Sequence, residues 1–546
     1  MLDVKDLSIR YVNSRDLALN AINFSANEGE FIVIAGPSGS GKSTLAKAIL
    51  GIIPAFEEAQ IKGNIYINNS NLANLTRKER IELLGYVPQY PSDFTTSILV
   101  EEEVAFKLEN LGIQPEKINK LLSKILTSLG IVNLRNRLIT EVSSGELQRV
   151  SLASALGFLP PIIILDEPIA RIDPQAEVEI SKILRKIANN GHIVLAFEHR
   201  LDYMLSEADK LIILDEGKKI SDGKPKENLR YLKNIDPPEI SNLDLRNGKH
   251  DFLTIEEALE ILPQDLSTNT NLVENSLQDR INKVGDTIIR CENLSFRYSK
   301  RSEFVIEDVS FTIPTGQVVG LMGINGSGKS TLFKLISGIL RPTSGLIYIL
   351  DKKIKSAKKI SKDLVFVPEN AKLFLVGPTP LKDLERIWND SDRARKFYTE
   401  LGLNSLMNRK LYHLSEGQRR LFALINSFQL NNKIILLDEP TIALDRNGRQ
   451  LLKAFLKQAK SDGKIVLIAS NDPRLYPFFD RMIVLKDHKI LFDDTPEHIL
   501  YTIEDKTELI PNQIVRLIQQ YEKKWNTKIP HFITVEEFNN YLRRDN

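Results

Sequence analysis

Apolar positions along this chain fall into two patterns. Unbroken apolar runs, Phe31-Ile32-Val33-Ile34-Ala35, Ile162-Ile163-Ile164-Leu165, Val318-Val319-Gly320-Leu321-Met322 and Ile434-Ile435-Leu436-Leu437, predict strands covered on both faces. Alternating stretches, Asp6-Leu7-Ser8-Ile9-Arg10-Tyr11 and Asn293-Leu294-Ser295-Phe296-Arg297-Tyr298, predict half-buried strands. Residues 45–50 read as a helix and residues 192–197 as a further strand. The whole pattern comes twice. Gly36 and Gly323 lie 287 positions apart, Ser143 and Ser415 lie 272 apart, and later landmarks keep the second spacing. Two tandem α/β units of roughly 220 residues each are predicted, a normal domain size.

The turn after each first buried strand brings chemistry into this picture. It reads Gly36-Pro37-Ser38-Gly39-Ser40-Gly41-Lys42-Ser43-Thr44 in the first copy. In the second it reads Gly323-Ile324-Asn325-Gly326-Ser327-Gly328-Lys329-Ser330-Thr331. Strand, glycine-rich turn and helix form the context of a phosphate-binding loop. Its backbone N–H groups turn inward around a polyphosphate, and the helix N-terminus adds a positive dipole. Lys42 and Lys329 would reach the β- and γ-phosphates, and the hydroxyls of Ser43 and Ser330 would hold Mg²⁺. Tyr11 and Tyr298 stand at equivalent places ahead of the two loops, where an aromatic ring can stack on adenine.

Composition narrows the class. The 73 Lys and Arg nearly balance 71 Asp and Glu, so the 546-residue chain carries no basic footprint and no nucleic-acid partner is expected. One cysteine, Cys291, excludes a disulfide framework and a cysteine-ligated iron–sulfur cluster. No apolar stretch approaches the roughly 18–20 residues that span a bilayer, and the chain opens on a charged strand-like segment. A cytoplasmic protein, or one peripheral on the inner face of the membrane, is expected.

Between and beyond these landmarks, further motifs recur in one order. The first copy has Gly85-Tyr86-Val87-Pro88-Gln89, then Val142-Ser143-Ser144-Gly145-Glu146-Leu147-Gln148-Arg149, then Asp166-Glu167-Pro168, Ile172-Asp173 and Glu198-His199. The second has Val367-Pro368-Glu369, Leu414-Ser415-Glu416-Gly417-Gln418-Arg419-Arg420, Asp438-Glu439-Pro440, Leu444-Asp445 and Ser470-Asn471. A carboxylate directly after a buried strand and beside another carboxylate is costly unless a metal or water network receives it. Over nearly its whole length the chain resembles the ATP-binding subunits of ABC transporters. The resemblance implies two P-loop NTPase domains, each with a RecA-like α/β core, an antiparallel β subdomain and a helical signature subdomain. It implies ATP and Mg²⁺ as ligands, with Asp166 and Asp438 ending the metal strands and Glu167 and Glu439 as candidate general bases. Gln89 would link the metal to a membrane partner, Glu369 at the equivalent place would still be able to ligate the metal, and His199 would meet the γ-phosphate. Asp173 would lie on the loop crossing to the other half.

In that family two domains close head to tail, so intramolecular pairing of the halves is implied, each nucleotide lying under the other half's signature. Site one would join Lys42, Gln89, Glu167 and His199 to Ser415, Gly417 and Gln418. Site two would join Lys329, Glu369, Glu439 and Asn471 to the altered signature of Ser143, Ser144, Gly145 and Glu146. Asparagine cannot carry the proton or charge of histidine, and Glu369 adds a negative charge near the metal. Site one is therefore expected to hydrolyse and site two mainly to hold ATP.

Residues 97–112 look like the matching stretch of energy-coupling-factor transporter ATPases, which import vitamins and transition-metal ions. Each half also ends in a similar tail, Asp236-Pro237-Pro238 followed by Thr254-Ile255-Glu256-Glu257, and Ile510-Pro511 followed by Thr534-Val535-Glu536-Glu537. Thr-x-Glu-Glu ahead of an apolar pattern is a helix start. The expected division is residues 1–227, a tail and linker at 228–287 (its end, 266–285, polar and flexible), residues 288–500, and a second tail at 501–546. Implied partners are integral membrane subunits, a transmembrane coupling protein and a substrate-binding protein, docking around residues 90–106 and 373–376. The rival reading is a soluble twin-domain ATPase acting on ribosomes or nucleic acid.

Overall fold

The computed structural model describes the chain apart from residues 13, 15, 90, 169–173, 233–234, 246–247, 250, 265, 267–285, 325, 355, 503–508 and 545–546. Tyr90, Asp173, Asn325 and nearly all of the expected linker therefore lie outside the described residues. The chain divides into two compact units, Met1–Asn242 with His250–Thr254, and Leu243–Lys249 with Ile255–Asn546.

In the first unit a six-stranded sheet runs in the order Lys218–Gly223, Lys210–Asp215, Phe31–Ala35, Ile193–Glu198, Ile162–Asp166, Leu84–Val87. All neighbours pair in parallel except the outer hairpin of Lys210–Asp215 with Lys218–Gly223. Its central strands Phe31–Ala35, Ile193–Glu198 and Ile162–Asp166 are buried along their whole length because both faces of the sheet are covered there, whereas the edge strand Lys218–Gly223 is not. Phe31, Val33 and Ala35 face a core shared with Val104, Leu108, Leu122 and Leu152. Ile32 and Ile34 face a second core with Leu45, Ile49 and the strand Leu2–Tyr11. That strand lies in a four-stranded antiparallel sheet, paired with Leu19–Ala26 and Ala59–Ile67. The helices Val100–Asn110, Pro115–Ser128 and Ser144–Leu156 form the third part.

The second unit repeats the plan. Its six-stranded sheet runs Leu364–Val367, Ile434–Asp438, Ile465–Ala469, Val318–Met322, Arg481–Lys486, Lys489–Asp494. An antiparallel sheet centres on Thr287–Phe296, and the helical part comprises Pro380–Trp388, Ser391–Glu400 and Glu416–Gln429. The tandem α/β architecture expected from the repeat is thus present in both halves, and the buried strands begin and end within a residue of the apolar runs.

The second tail and part of the first, Leu243–Lys249 and the described residues from Ile255 on, belong to this second unit. Tyr521, on the helix Gln513–Trp525, donates its hydroxyl to the Pro263 carbonyl at 2.7 Å and accepts from the Leu266 N–H at 3.2 Å. The Asp244 N–H donates to Asn539 at 2.9 Å, and Arg543 pairs with Asp244 at 2.5 Å. Thr534 caps the helix Val535–Arg544, its hydroxyl accepting from the Glu537 N–H at 3.1 Å while Glu537 accepts from the Thr534 N–H. Among the described residues no helix is long and apolar enough to cross a membrane.

Candidate functional site

Each phosphate loop joins a central parallel strand to a helix, Lys42–Ile49 in the first unit and Lys329–Ile336 in the second. Gly41 and Gly328 precede these helices with φ of 98° and 102°, a conformation that L side chains rarely adopt. A Cβ on Gly41 would also meet the Ala18 carbonyl at 2.6 Å, so glycine is required twice over. Lys42 is buried and donates to the Gly36 and Pro37 carbonyls at 2.6 and 3.1 Å. Lys329 donates likewise to Gly323 and Ile324 at 2.5 and 3.2 Å. Both lysines therefore lie folded back over their own loops. The hydroxyl of Tyr11 lies 3.2 Å from that of Thr44, and Tyr298 repeats this with Thr331 at 3.1 Å. These bonds tie each ring to the end of its phosphate loop.

The strand after the phosphate loop's parallel neighbour ends in the carboxylate pair. Ser43 donates to Asp166 at 3.3 Å, and Ser330 hydrogen-bonds Asp438. Burial lifts Asp166 to about 6, with Glu167 adding to the effect. Burial, with Glu369, lifts Asp438 to about 6 as well. The buried Oδ1 of Asp438 has no hydrogen-bond partner. A serine hydroxyl beside a buried carboxylate with an oxygen to spare is a hard-oxygen set that suits Mg²⁺, which takes its remaining ligands from phosphates and water. No cluster of three His, Cys, Asp or Glu metal ligands occurs among the described residues.

The two halves part at the next residue. Glu167 and Glu439 share a backbone, with φ of 50° and 48° and their N–H groups donating to Phe197 and Ala469. Their side chains differ. Glu167 accepts from the Gln89 amide at 2.7 Å and lies 3.2 Å from His199 Nδ1. Burial works against its ionisation, but His199, Lys42 and Gln89 outweigh it and hold the carboxyl at about 2. Glu439 instead accepts from the Ser470 hydroxyl, at 3.0 Å. Burial lifts it to about 7, Lys329 opposing while Asp438 and Glu369 add repulsion. Asn471 turns toward the phosphate loop, its Oδ1 accepting from the Gly323 N–H at 3.4 Å.

The signature segments begin helices. Ser143 accepts from the Glu146 N–H and Glu146 accepts from the Ser143 N–H, a reciprocal cap that Ser415 and Gln418 repeat. A Cβ on Gly417 would lie 2.1 Å from the Ala443 carbonyl oxygen, so this helix starts against the loop that follows Glu439. The cap pattern is legible in the sequence as Ser-x-x-Glu and Ser-x-x-Gln. The Ser470 bond to Glu439 has no local signal, because the residues stand 31 apart and meet only across neighbouring strands.

The first unit also carries a groove of about 800 Å³ beyond Gln89, lined by Ile81, Phe94, Phe106, Leu147, Glu103 and Lys107 among others. Phe94 and Phe106 are about half exposed, and Lys107 donates to the Leu84 carbonyl at 2.9 Å. Burial lowers Lys107 to about 8. In the second unit Leu373 and Val376 are exposed while Leu375 is buried.

Comparison with known proteins agrees with this geometry. The family model described as ABC transporter matches residues 19–170 and 306–442. A Methanosarcina acetivorans protein named, provisionally, an ABC transporter ATP-binding protein is 28% identical over 99% of this chain and 93% of its own length. A Bacillus subtilis protein, YkoD, whose name provisionally assigns it HMP/thiamine import, is 28% identical over 96% of each chain. A solved structure of an archaeal ribosome recycling factor superposes with a TM-score of 0.58 at 21% identity, covering 96% of this chain and 99% of that one. The last likeness is one of fold.

Proposed function

The chain belongs to the ABC transporter family as an ATP-binding protein with both nucleotide-binding halves in one polypeptide, and we propose that it powers an importer of the energy-coupling-factor kind, for a vitamin or a transition-metal ion. The observation that carries the reading of the active site is the contrast at the second carboxylate. Glu167 is ionised and held by Gln89 and His199, whereas Glu439 is lifted toward neutrality and bonded by Ser470. A general base must be unprotonated and aimed at the attacking water. Glu167 meets the first condition at neutral pH, and its two partners fix its orientation. The first phosphate loop is therefore the site of faster ATP hydrolysis, and the second retains nucleotide longer.

Mg²⁺, when bound, would neutralise charge on the β- and γ-phosphates. Ser43 and Asp166, and Ser330 and Asp438, are the residues that would hold it, with Gln89 and Glu369 nearby. Lys42 and Lys329 would swing from their loop carbonyls to the phosphates. Each loop would work with the signature of the other half, Lys42 with Ser415, Gly417 and Gln418, and Lys329 with Ser143 and Gly145. Tyr11 and Tyr298 would stack on adenine. Closure on ATP and reopening after hydrolysis would move a helix of a membrane subunit seated in the groove beside Phe94 and Phe106, on the inner face of the membrane. The import reading draws on the name of the Bacillus subtilis relative and on this apolar groove.

Steady-state ATPase assays of Glu167→Gln and Glu439→Gln test the asymmetry. Losing a general base costs about 10²–10⁴-fold, so Glu167→Gln should fall in that range and Glu439→Gln by much less. Equal losses would refute it. Co-purification from membranes with small integral subunits supports import, and a ribosome-bound pool instead would establish the soluble alternative.

A further inference from the structure

Arg420 is the largest fully buried side chain among the described residues, and nothing in the motif reading accounts for it. It lies one turn into the helix Glu416–Gln429. A buried guanidinium is costly unless its N–H groups are received. Here the two terminal nitrogens are received by the site itself, while the Nε–H is left without a partner. Nη1 donates to the backbone carbonyl of Glu439 at 2.5 Å, and Nη2 donates to the backbone carbonyl of Glu369. Nη2 also pairs with the Glu416 carboxylate at 3.2 Å, one turn back on its own helix. One planar fork thus straps the signature helix to two separate loops, which carry the candidate base and the candidate metal-linking residue of the same half.

Among the described residues the first half shows no such strap. Counting from Ser143 and Ser415, the residue matching Arg420 is Gln148. Gln148 is equally buried, at 1% exposure, and its Nε2 has no hydrogen-bond partner. A neutral amide has two N–H donors on one nitrogen, and cannot present two nitrogens to two carbonyls as a guanidinium can.

We infer that Arg420 is a positioning residue for the second phosphate-loop site: by gripping the Glu369 and Glu439 carbonyls it sets where their side chains stand relative to Ser330 and Asp438, and so sets how strongly nucleotide binding there depends on Mg²⁺. The inference rests on the reading that the second loop binds Mg²⁺–nucleotide. A loosened strap leaves Lys329 and the loop backbone untouched, so nucleotide binding without metal should persist.

The test uses the full chain with Lys42→Ala, which silences the first loop, and a fluorescent ATP analogue titrated over a range of Mg²⁺ and in EDTA. Displacing a residue that orients metal ligands typically weakens metal affinity about 10–100-fold. Arg420→Gln should raise the Mg²⁺ half-saturation by that factor and change the EDTA affinity less than twofold. Arg420→Lys, able to reach only one carbonyl, should fall between. It decides the matter by the same comparison if Arg420→Gln does not fold. In the reciprocal chain with Lys329→Ala, Gln148→Ala should move the Mg²⁺ dependence less than twofold. An unchanged half-saturation in the Arg420 variants, or an equal loss with and without Mg²⁺, overturns the inference and leaves the nucleotide reading standing. A Lys42→Ala chain that binds no nucleotide overturns both.

Discussion

The same substitution should act with opposite sign in the two halves. Replacing Glu167 or Glu439 by glutamine removes one ionisable group and almost no volume. The unfolded carboxyl titrates near 4.5 in both cases, whereas the folded values are about 2 for Glu167 and about 7 for Glu439. Between 4.5 and about 7 the folded chain holds a proton at Glu439 that the unfolded chain has released. Stability therefore falls as pH rises through that window, and the full cost is present above it. For Glu167 the order is reversed: its stabilisation is present above 4.5 and is lost as pH falls toward 2. At about 1.4 kcal/mol per decade, each displacement corresponds to roughly 3 kcal/mol, favourable at Glu167 and unfavourable at Glu439. Glutamine at 439 can still accept from Ser470. Glutamine at 167 loses the charge that faces His199. For domains of this size 1 kcal/mol moves Tm by about 2–4 °C. Calorimetry in EDTA without nucleotide should then show Glu439→Gln raising Tm by roughly 6–12 °C at pH 8 and by only about a quarter of that at pH 5. Glu167→Gln should lower Tm at both. A Glu439→Gln protein that melts lower at pH 8, or gains equally at both pH values, would refute burial as the governing cause.

Three other outcomes follow from the geometry. Gly417→Ala places a methyl 2.1 Å from the Ala443 carbonyl oxygen, so ATPase activity should fall at least about tenfold while circular dichroism keeps its folded signature. Phe106→Ser removes apolar surface from the groove and should abolish co-purification with membrane subunits, leaving ATP hydrolysis by the free chain unchanged. Thr534→Ala deletes the cap of the last helix, a loss of about 1 kcal/mol, and should lower Tm by a few degrees without altering ATPase activity.

Much of the site was legible in the linear chain because its signals are local. A phosphate loop needs glycines at fixed offsets, a strand before it and a helix after it, and all three are neighbours in sequence. The buried strands could be placed because a sheet covered on both faces demands unbroken apolar runs, and Phe31–Ala35 and Ile434–Asp438 begin where those runs do. Duplication makes the two halves comparable residue by residue, so the exchange of His199 for Asn471 shows in the sequence itself.

Folding alone decided what each exchange does. Nothing local announces that Ser470 would bond Glu439 while Asn471 turns to Gly323, that Tyr11 would reach Thr44, or that Arg420 would grip two loops 51 and 19 residues away. The charge state of a carboxylate depends on which dipoles and ions surround it and how much water is excluded. Those neighbours are assembled from distant strands and helices, so Glu167 and Glu439 read as the same residue in sequence and become chemically different ones only once the chain has packed.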